Sequence, residues 1–344
     1  MIKPMRLQKG DTVAIVSLSS GLAGEDAILW RTYQGVTRLQ NVFGLNVKVM
    51  PNALKGIAYI RAHPEQRAAD LNDALRDDEV KAIISCIGGD DAIRIAPYVD
   101  FKAIQKHPKI FIGYSDTTSV HMMFYKMGIV SFYGPALLTD FAENIEMDAY
   151  TIDYLKKCLF YTDPINEIMP ALYTRMNDIE WKEENKNMAR TIRNQGGYEL
   201  LCGEGIRRGH LIGGNLETFV SLLSTNLFPD KQQFKNAILF LETSEDTPTP
   251  QAFADDLMCL LNEGVFEHLN GIIVGKPFDN LYYTEYKAEL LKIIEKSENK
   301  HISILFNLSF GHCEPKHSLP YGVLAEINCS EKSFEIIESS VVDG

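Results

Sequence analysis

Residues 109–119 read KIFIGYSDTTS, an apolar run that ends in Gly113-Tyr114-Ser115-Asp116 and then turns polar. A serine at the point where a buried strand stops can do one of two jobs. Its oxygen can cap the helix that follows by accepting a backbone N–H, or a tight strand-to-helix turn can lift the hydroxyl above the sheet edge as a nucleophile. A neutral hydroxyl is a weak nucleophile, so the second job requires a base in hydrogen-bond reach, a group that orients the base, and donors for the oxyanion. Gly113 two residues before Ser115 fits such an elbow, but Thr117 stands where the elbow has its second glycine. Taken alone, the stretch reads more simply as an N-cap at Ser115 or Asp116.

The rest of the chain supplies each missing part. IGGDDA (87–92) follows another apolar run, so Gly88-Gly89 lies at the same sheet edge, either as a plain turn or as an oxyanion donor beside the N–H of Asp116. The GGD loop of NAD-kinase-like enzymes continues with glycine and threonine, whereas this chain has Asp91 and Ala92 and no basic phosphate ligands after them. AILFLETSED (237–246) runs an apolar strand directly into Glu242, a rim carboxylate that must be solvated or paired, with Glu245 and Asp246 close by. Of the eight histidines, His312 stands apart in the turn-rich FGHCEPKHSLPYG (310–322), where a ring can be held at a site or can be an idle loop residue. His312, Cys313, Glu314 and His317 also raise the question of a metal, but Pro315 and Pro320 fit no helix and no third clear ligand joins the two histidines. No metal and no cofactor is expected. Each residue has a bland reading, yet serine, Gly-Gly loop, strand-end glutamate and loop histidine together make up an acyl-transfer site.

The elements that must position these residues alternate in the first 135 positions. Apolar runs at 12–17, 46–50, 81–87 and 110–114 are separated by helical patterns at 25–42, from Pro64, and after Gly88-Gly89 to about Tyr98, and a further helical pattern follows at 116–126. This is βαβ rhythm, and fully apolar runs of that length predict a parallel sheet covered on both faces. From about 137 to 205 the pattern loosens, and 180–197 is polar with Trp181, Met188 and Ile192 as its sizeable apolar groups, which predicts a linker or elaborated loop. Strand and helix periodicity returns beyond Gly209, and 323–339 reads as a terminal β-hairpin turning near Ser330-Glu331. The expected division is an N-terminal domain at 1–140 with the nucleophile, a connecting segment at 141–205, and a C-terminal domain at 206–344 with the glutamate and histidine.

Composition narrows the partners. The chain of 344 residues is 45% hydrophobic and 23% charged, and its 34 basic and 46 acidic residues leave a net charge of −12. With no Lys/Arg stripe, a nucleic acid polymer is excluded as partner. The first 20 residues lack a signal peptide's apolar core and no run approaches 18 apolar residues, so a cytoplasmic protein without membrane contact is expected. Cys86, Cys158, Cys202, Cys259, Cys313 and Cys329 are scattered without a C-x-x-C pair and read as reduced thiols.

GYSDTTS, the upstream IGGDDA, GHLIGGNLETF (209–219), FLETSED and GHCEPKHSLPYG, in this order, resemble the LD-carboxypeptidase family of serine peptidases, and RLQKGDTVAIVSLSS resembles its opening strand. The resemblance runs nearly end to end. It implies an α/β fold with a flavodoxin-like parallel-sheet N-terminal domain and a smaller β-rich α/β C-terminal domain, and a homodimer. It implies a triad of Ser115 as nucleophile, His312 as base and Glu242 as its orienter, with an oxyanion hole from backbone N–H groups of Gly88, Gly89 and Asp116. One branch of the family releases D-alanine from muropeptides; the other, the microcin C self-immunity branch, cleaves an acyl amino acid from a sulfamoyl-adenosine mimic of an aminoacyl nucleotide. IGGDDA and the long segment with Trp181 resemble the second branch, in which an aromatic of that segment stacks on a nucleobase, although Gly197-Tyr198 stands where that branch often has Gly-Trp. The expected function is therefore a serine carboxypeptidase or amidase acting on an aminoacyl nucleotide or a small peptide; muropeptide cleavage and an inactive binding protein on the same scaffold are the alternatives. Asn215 resembles a substrate-side position but is also a good N-cap, Trp181 can equally anchor its loop, and Lys276 at a strand end can bind a substrate carboxylate or lie on the surface.

Overall fold

The computed structural model describes all 344 residues and contains two large sheets joined by one continuous apolar core, with a small two-stranded sheet of Tyr173–Arg175 and Ile192–Asn194 in the connecting segment. The first sheet runs, in spatial order, Leu319–Pro320, Phe132–Tyr133, Ile110–Gly113, Val80–Ser85, Thr12–Val16 and Asn46–Val49. Its five N-terminal strands are parallel and carry the flavodoxin-like order. Val13, Ile15, Ile83, Phe111 and Ile112 are buried on both faces, as their unbroken apolar runs require. Helices Leu29–Phe43, Pro64–Arg76 and Thr118–Lys126 cover it. Pro64 sits in the first turn of its helix, where a missing N–H costs nothing.

The second sheet has eight strands and is the larger of the two. Ile206–Asn215, Ile238–Glu242, Gly271–Gly275 and Ser303–Leu308 form its parallel centre. The predicted terminal hairpin is present as Leu324–Asn328 paired with Ser333–Ile336. The connecting segment departs from a plain linker: it contains helix Ala149–Leu159 and lends Asn166–Glu167 and Glu199–Cys202 to opposite edges of the second sheet. Its polar composition hid these strands because their register is set by the sheet they join.

Chain crossings between the sheets decide where the chemistry falls. Leu319–Pro320 leaves the C-terminal half and pairs antiparallel with Phe132–Tyr133 at the edge of the first sheet. The loop 309–318 is thus tied to the second sheet at one end and to the first at the other, and His312 is carried to the strand ends of both. No helix is long and apolar enough to cross a membrane.

Candidate active site

Ser115 occupies a left-handed backbone conformation, φ 65°, between strand Ile110–Gly113 and the helical turn that continues into Thr118–Lys126. For a residue other than glycine this costs about 1–3 kcal/mol and persists only where the surroundings enforce it. Here the Ser115 N–H donates to the Tyr133 hydroxyl at 3.0 Å, its carbonyl accepts the Thr118 hydroxyl at 2.7 Å, and Thr117 donates its own hydroxyl to the Tyr114 carbonyl at 2.7 Å. Thr117, the misfit in the sequence pattern, is thus one of the locks of the turn. The N-cap reading fails: neither Ser115 nor Asp116 caps this helical turn through its side chain. The Ser115 hydroxyl has no protein partner and opens into a cavity of about 610 Å³.

Asp116 works through its buried carboxylate, which accepts the Ser19 hydroxyl at 2.5 Å and the Ala92 N–H at 2.7 Å. It fastens the serine turn to the Gly88-Gly89 loop, and burial, its largest influence, raises its pKa. The loop is held from below by the buried Arg67, which pairs with Asp91 at 2.6 Å and donates to the carbonyls of Leu18 and Ser19. The Gly88 carbonyl accepts the Ser20 N–H at 3.0 Å. Because C=O and N–H of a trans peptide point in opposite directions, the Gly89 N–H is turned away from Ser20, and it donates to no protein acceptor. A Cβ at Gly88 would lie 2.7 Å from the Ser115 Cβ and 2.8 Å from its Oγ. Gly88→Ala is expected to push the hydroxyl out of place and lower kcat/KM about 100-fold or more, with an unchanged circular-dichroism spectrum; wild-type turnover of the variant would refute the close approach.

Glu242 ends strand Ile238–Glu242 and is 1% exposed. One carboxylate oxygen accepts the Tyr133 hydroxyl; the other accepts the backbone N–H of His312 at 3.1 Å and its Nδ1–H at 2.7 Å. Gly311, at φ 82°, lets the histidine loop pass within contact of this carboxylate, where any Cβ would collide with it. Tyr133 therefore joins the serine turn to the glutamate, a connection with no signal in the sequence beyond a tyrosine on a short strand. The far nitrogen of His312, Nε2, lies 2.8 Å from Glu245 Oε2 in an ion-pair contact and is not bonded to Ser115. Burial alone would lower the imidazole, but the charges and hydrogen bonds of Glu242 and Glu245 outweigh it and raise His312 to about 10. The hydrogen bond to the ring in turn holds Glu245 down at about 2. Glu245, read in the sequence only as a neighbour of Glu242, thus stands against the outer nitrogen of His312.

Trp181 lines the far part of the cavity, with the Arg31 guanidinium 4.1 Å from its ring centroid. Beneath it Arg190 bridges Glu143 and Glu314. Burial and the neighbouring Glu314 raise Glu143 to about 8, while Glu314, against its burial, is held at about 2 by Arg190 and Lys316. Two sequence candidates are placed elsewhere. Lys276 is buried and donates to the Ala171 carbonyl at 2.5 Å, because residues of the connecting segment fold over the strand end that carries it. Asn215 caps helix Leu216–Ser221 through the Thr218 N–H and also donates to Glu217. Neither lines the cavity, nor does the buried Tyr198. Cys313 does, but its thiol is pushed up to about 11 by burial and donates to the Phe310 carbonyl, which leaves it a poor nucleophile. No group of three or more His, Cys, Asp or Glu that could hold a metal is present.

Known proteins share this arrangement of domains. Residues 13–134 match the LD-carboxypeptidase N-terminal domain and residues 208–327 the LD-carboxypeptidase C-terminal domain. A putative carboxypeptidase of Bacillus subtilis is 31% identical, covering 92% of this chain and 93% of its own. The microcin C7 self-immunity protein of Escherichia coli is 30% identical (96% and 94%), as is a probable murein peptide carboxypeptidase of Bacillus subtilis (99% and 96%). Among solved structures, an MccF-like protein from Streptococcus pneumoniae in complex with AMP has a TM-score of 0.88 and 37% identity, covering 95% of this chain and 98% of that one. The microcin C7 self-immunity protein in complex with aspartyl sulfamoyl adenosine has a TM-score of 0.87 and 26% identity, covering 99% and 100%. With both domains matched in order and relatives aligned over nearly their whole length, the chain belongs to the LD-carboxypeptidase family of peptidases.

Proposed function

We propose that this protein is a serine hydrolase that cleaves the acyl bond of an aminoacyl nucleotide or its sulfamoyl mimic. The observation that carries this reading is one cavity with Ser115 and the Glu242-oriented His312 on one wall and Trp181, backed by Arg31, on another. His312 takes the Ser115 proton as Oγ attacks the acyl carbon, and the tetrahedral oxyanion is received by the backbone N–H groups of Asp116 and of the Gly88-Gly89 turn. His312 then returns the proton to the leaving sulfamoyl or phosphoryl group, and water hydrolyses the acyl-enzyme by the same route. Glu242 stabilises the imidazolium in both halves and fixes which nitrogen faces the serine.

The nucleotide end of the reading rests on Trp181, whose ring offers a flat apolar face to a base. AMP and aminoacyl sulfamoyl adenosine occupy solved relatives, which supports the same chemistry here. A murein peptide is the second reading, supported by a relative of equal identity. Parallel assays separate them: release of the free amino acid from an aminoacyl sulfamoyl adenosine, with no release of D-alanine from a murein tetrapeptide, is expected, and the reverse pattern would move the assignment to the second reading. Trp181→Ala is expected to raise KM for the nucleotide substrate about tenfold, the scale of one lost base–aromatic stack, with kcat little affected; an unchanged KM would remove the nucleobase from the proposal.

A further inference from the structure

The nitrogen that must receive the serine proton is occupied: His312 Nε2 is in ion-pair contact with Glu245 Oε2 at 2.8 Å, and the Ser115 hydroxyl stands without a protein partner. For His312 to act as base, Glu245 must turn away, and a carboxylate that leaves one cation needs another or bulk water. The cavity wall offers no free cation. Arg175 is held by Asp148, and Arg190 by Glu143 and Glu314. The remaining charges on the wall are acidic: Asp178 and Asp279 accept backbone N–H groups, from Thr191 and Asn177, and Glu180 is paired with the exposed Lys182. The paired alternative to bulk water is therefore a cation that arrives with the substrate.

Glu245 is placed to meet it. The residue before it, Ser244, is tied through both its N–H and its hydroxyl to the Glu217 carboxylate, at 2.9 and 2.6 Å, and Glu217 is itself held by the Asn215 amide. The Glu245 side chain is 58% exposed at the cavity mouth and free to swing about that anchor. In an aminoacyl group the amine nitrogen is two covalent bonds, each about 1.5 Å, from the carbonyl carbon that Ser115 attacks. An acceptor now 2.8 Å from Nε2 lies within reach of that amine.

We infer that Glu245 is a specificity-determining residue that binds an ammonium group on the acyl residue of the substrate and, in doing so, releases His312 for catalysis. The inference rests on the proposed acyl-transfer reading and extends it: a single aminoacyl group with a free amine is preferred to an N-blocked, peptide-like acyl group. As the ammonium arrives at the carboxylate, His312 releases its Nε2 proton to bulk water through the cavity mouth and becomes the neutral base, so one positive charge replaces another and the net charge of the site is unchanged. Asn215, placed away from the cavity, acts here only as part of the anchor.

The test uses binding, so that it does not depend on turnover. Calorimetric Kd values are measured on the Ser115→Ala protein for alanyl sulfamoyl adenosine, its Nα-acetyl form, and Nα-acetyl-lysyl sulfamoyl adenosine, and repeated after adding Glu245→Gln. The expected result is that alanyl binds about tenfold or more tighter than Nα-acetyl-alanyl, the scale of a charge-assisted hydrogen bond, and that Glu245→Gln brings the ratio to within about twofold of one. Recovery of tight binding by the Nα-acetyl-lysyl compound, again lost in Glu245→Gln, would assign the ammonium to the side chain and support the inference equally. Equal Kd values for all three compounds, or a preference that survives Glu245→Gln, would overturn it. Absence of turnover in the otherwise wild-type enzyme, with the ammonium preference intact, would overturn the hydrolase reading and leave the ammonium site standing.

Discussion

Ser115→Ala is expected to lower kcat/KM for the cleaved acyl bond by about 10⁴-fold or more, the range seen when a catalytic serine is removed and only binding and oxyanion donors remain. The fold should be untouched. The hydroxyl makes no hydrogen bond to the protein, so alanine deletes no contact, and the φ of 65° is as costly for alanine as for serine. The locks of the turn are the Ser115 N–H and carbonyl, the Tyr133 hydroxyl and the threonines, none of which the substitution removes. Thermal unfolding of the variant within experimental error of wild type, together with the lost turnover, is the expected pair of results; turnover within tenfold of wild type would remove Ser115 from the mechanism.

Glu242→Gln should produce a comparable loss with a different signature. The carboxylate accepts three donors: the Tyr133 hydroxyl, the His312 N–H and the His312 Nδ1–H. An amide has one accepting oxygen, so its NH₂ must face at least one of these donors, at a cost of about 1–3 kcal/mol for the unsatisfied buried group. The amide also lets the imidazole adopt the wrong tautomer, which costs about 10⁴-fold in kcat in a comparable triad. Stability and activity therefore fall together, unlike in Ser115→Ala. The pH dependence changes too. With His312 raised to about 10, the folded state keeps a proton that the unfolded chain, with an imidazole near about 6.5, has released. The stability this contributes is fully present below about 6.5 and is lost as pH rises through about 10. Loss of the Glu242 charge lowers the folded-state value, so the decline of Tm on going from neutral to alkaline pH should be shallower in the variant. A parallel decline in both proteins would deny that Glu242 holds the proton on the ring.

Features governed by local pattern were legible in the sequence. Unbroken apolar runs placed the parallel strands that end at Ser115 and at the Gly88-Gly89 loop, and the alternation in 323–339 placed the terminal hairpin. The strand-end charge of Glu242 by itself left solvation or pairing open, and its pairing with His312 was implied by the family resemblance. What escaped depends on how distant segments meet. Tyr133 bridges the serine turn and Glu242 only because Leu319–Pro320 closes the first sheet's edge over it. The connecting segment reads as a loop, yet two of its short strands pair with strands formed elsewhere in the chain. Lys276 illustrates the same limit: a strand-end lysine faces a rim unless something covers it, and here residues around Ala171 do. Asn215 went the other way, since its N-cap is local and Asn is among the strongest capping residues. Glu245 was in view from the start, but its choice of Nε2 over solvent requires the histidine loop and the strand-end turn to be folded together.

The central claim is that Ser115 carries the acyl group between two half-reactions. Rapid acid quenching of enzyme mixed with an aminoacyl sulfamoyl adenosine, followed by peptide mass mapping, tests it directly. The predicted result is the mass of the aminoacyl group on the tryptic peptide that contains Ser115, absent in Ser115→Ala. Acylation of the peptide that contains Cys313, or continued cleavage of the substrate by Ser115→Ala, would contradict it.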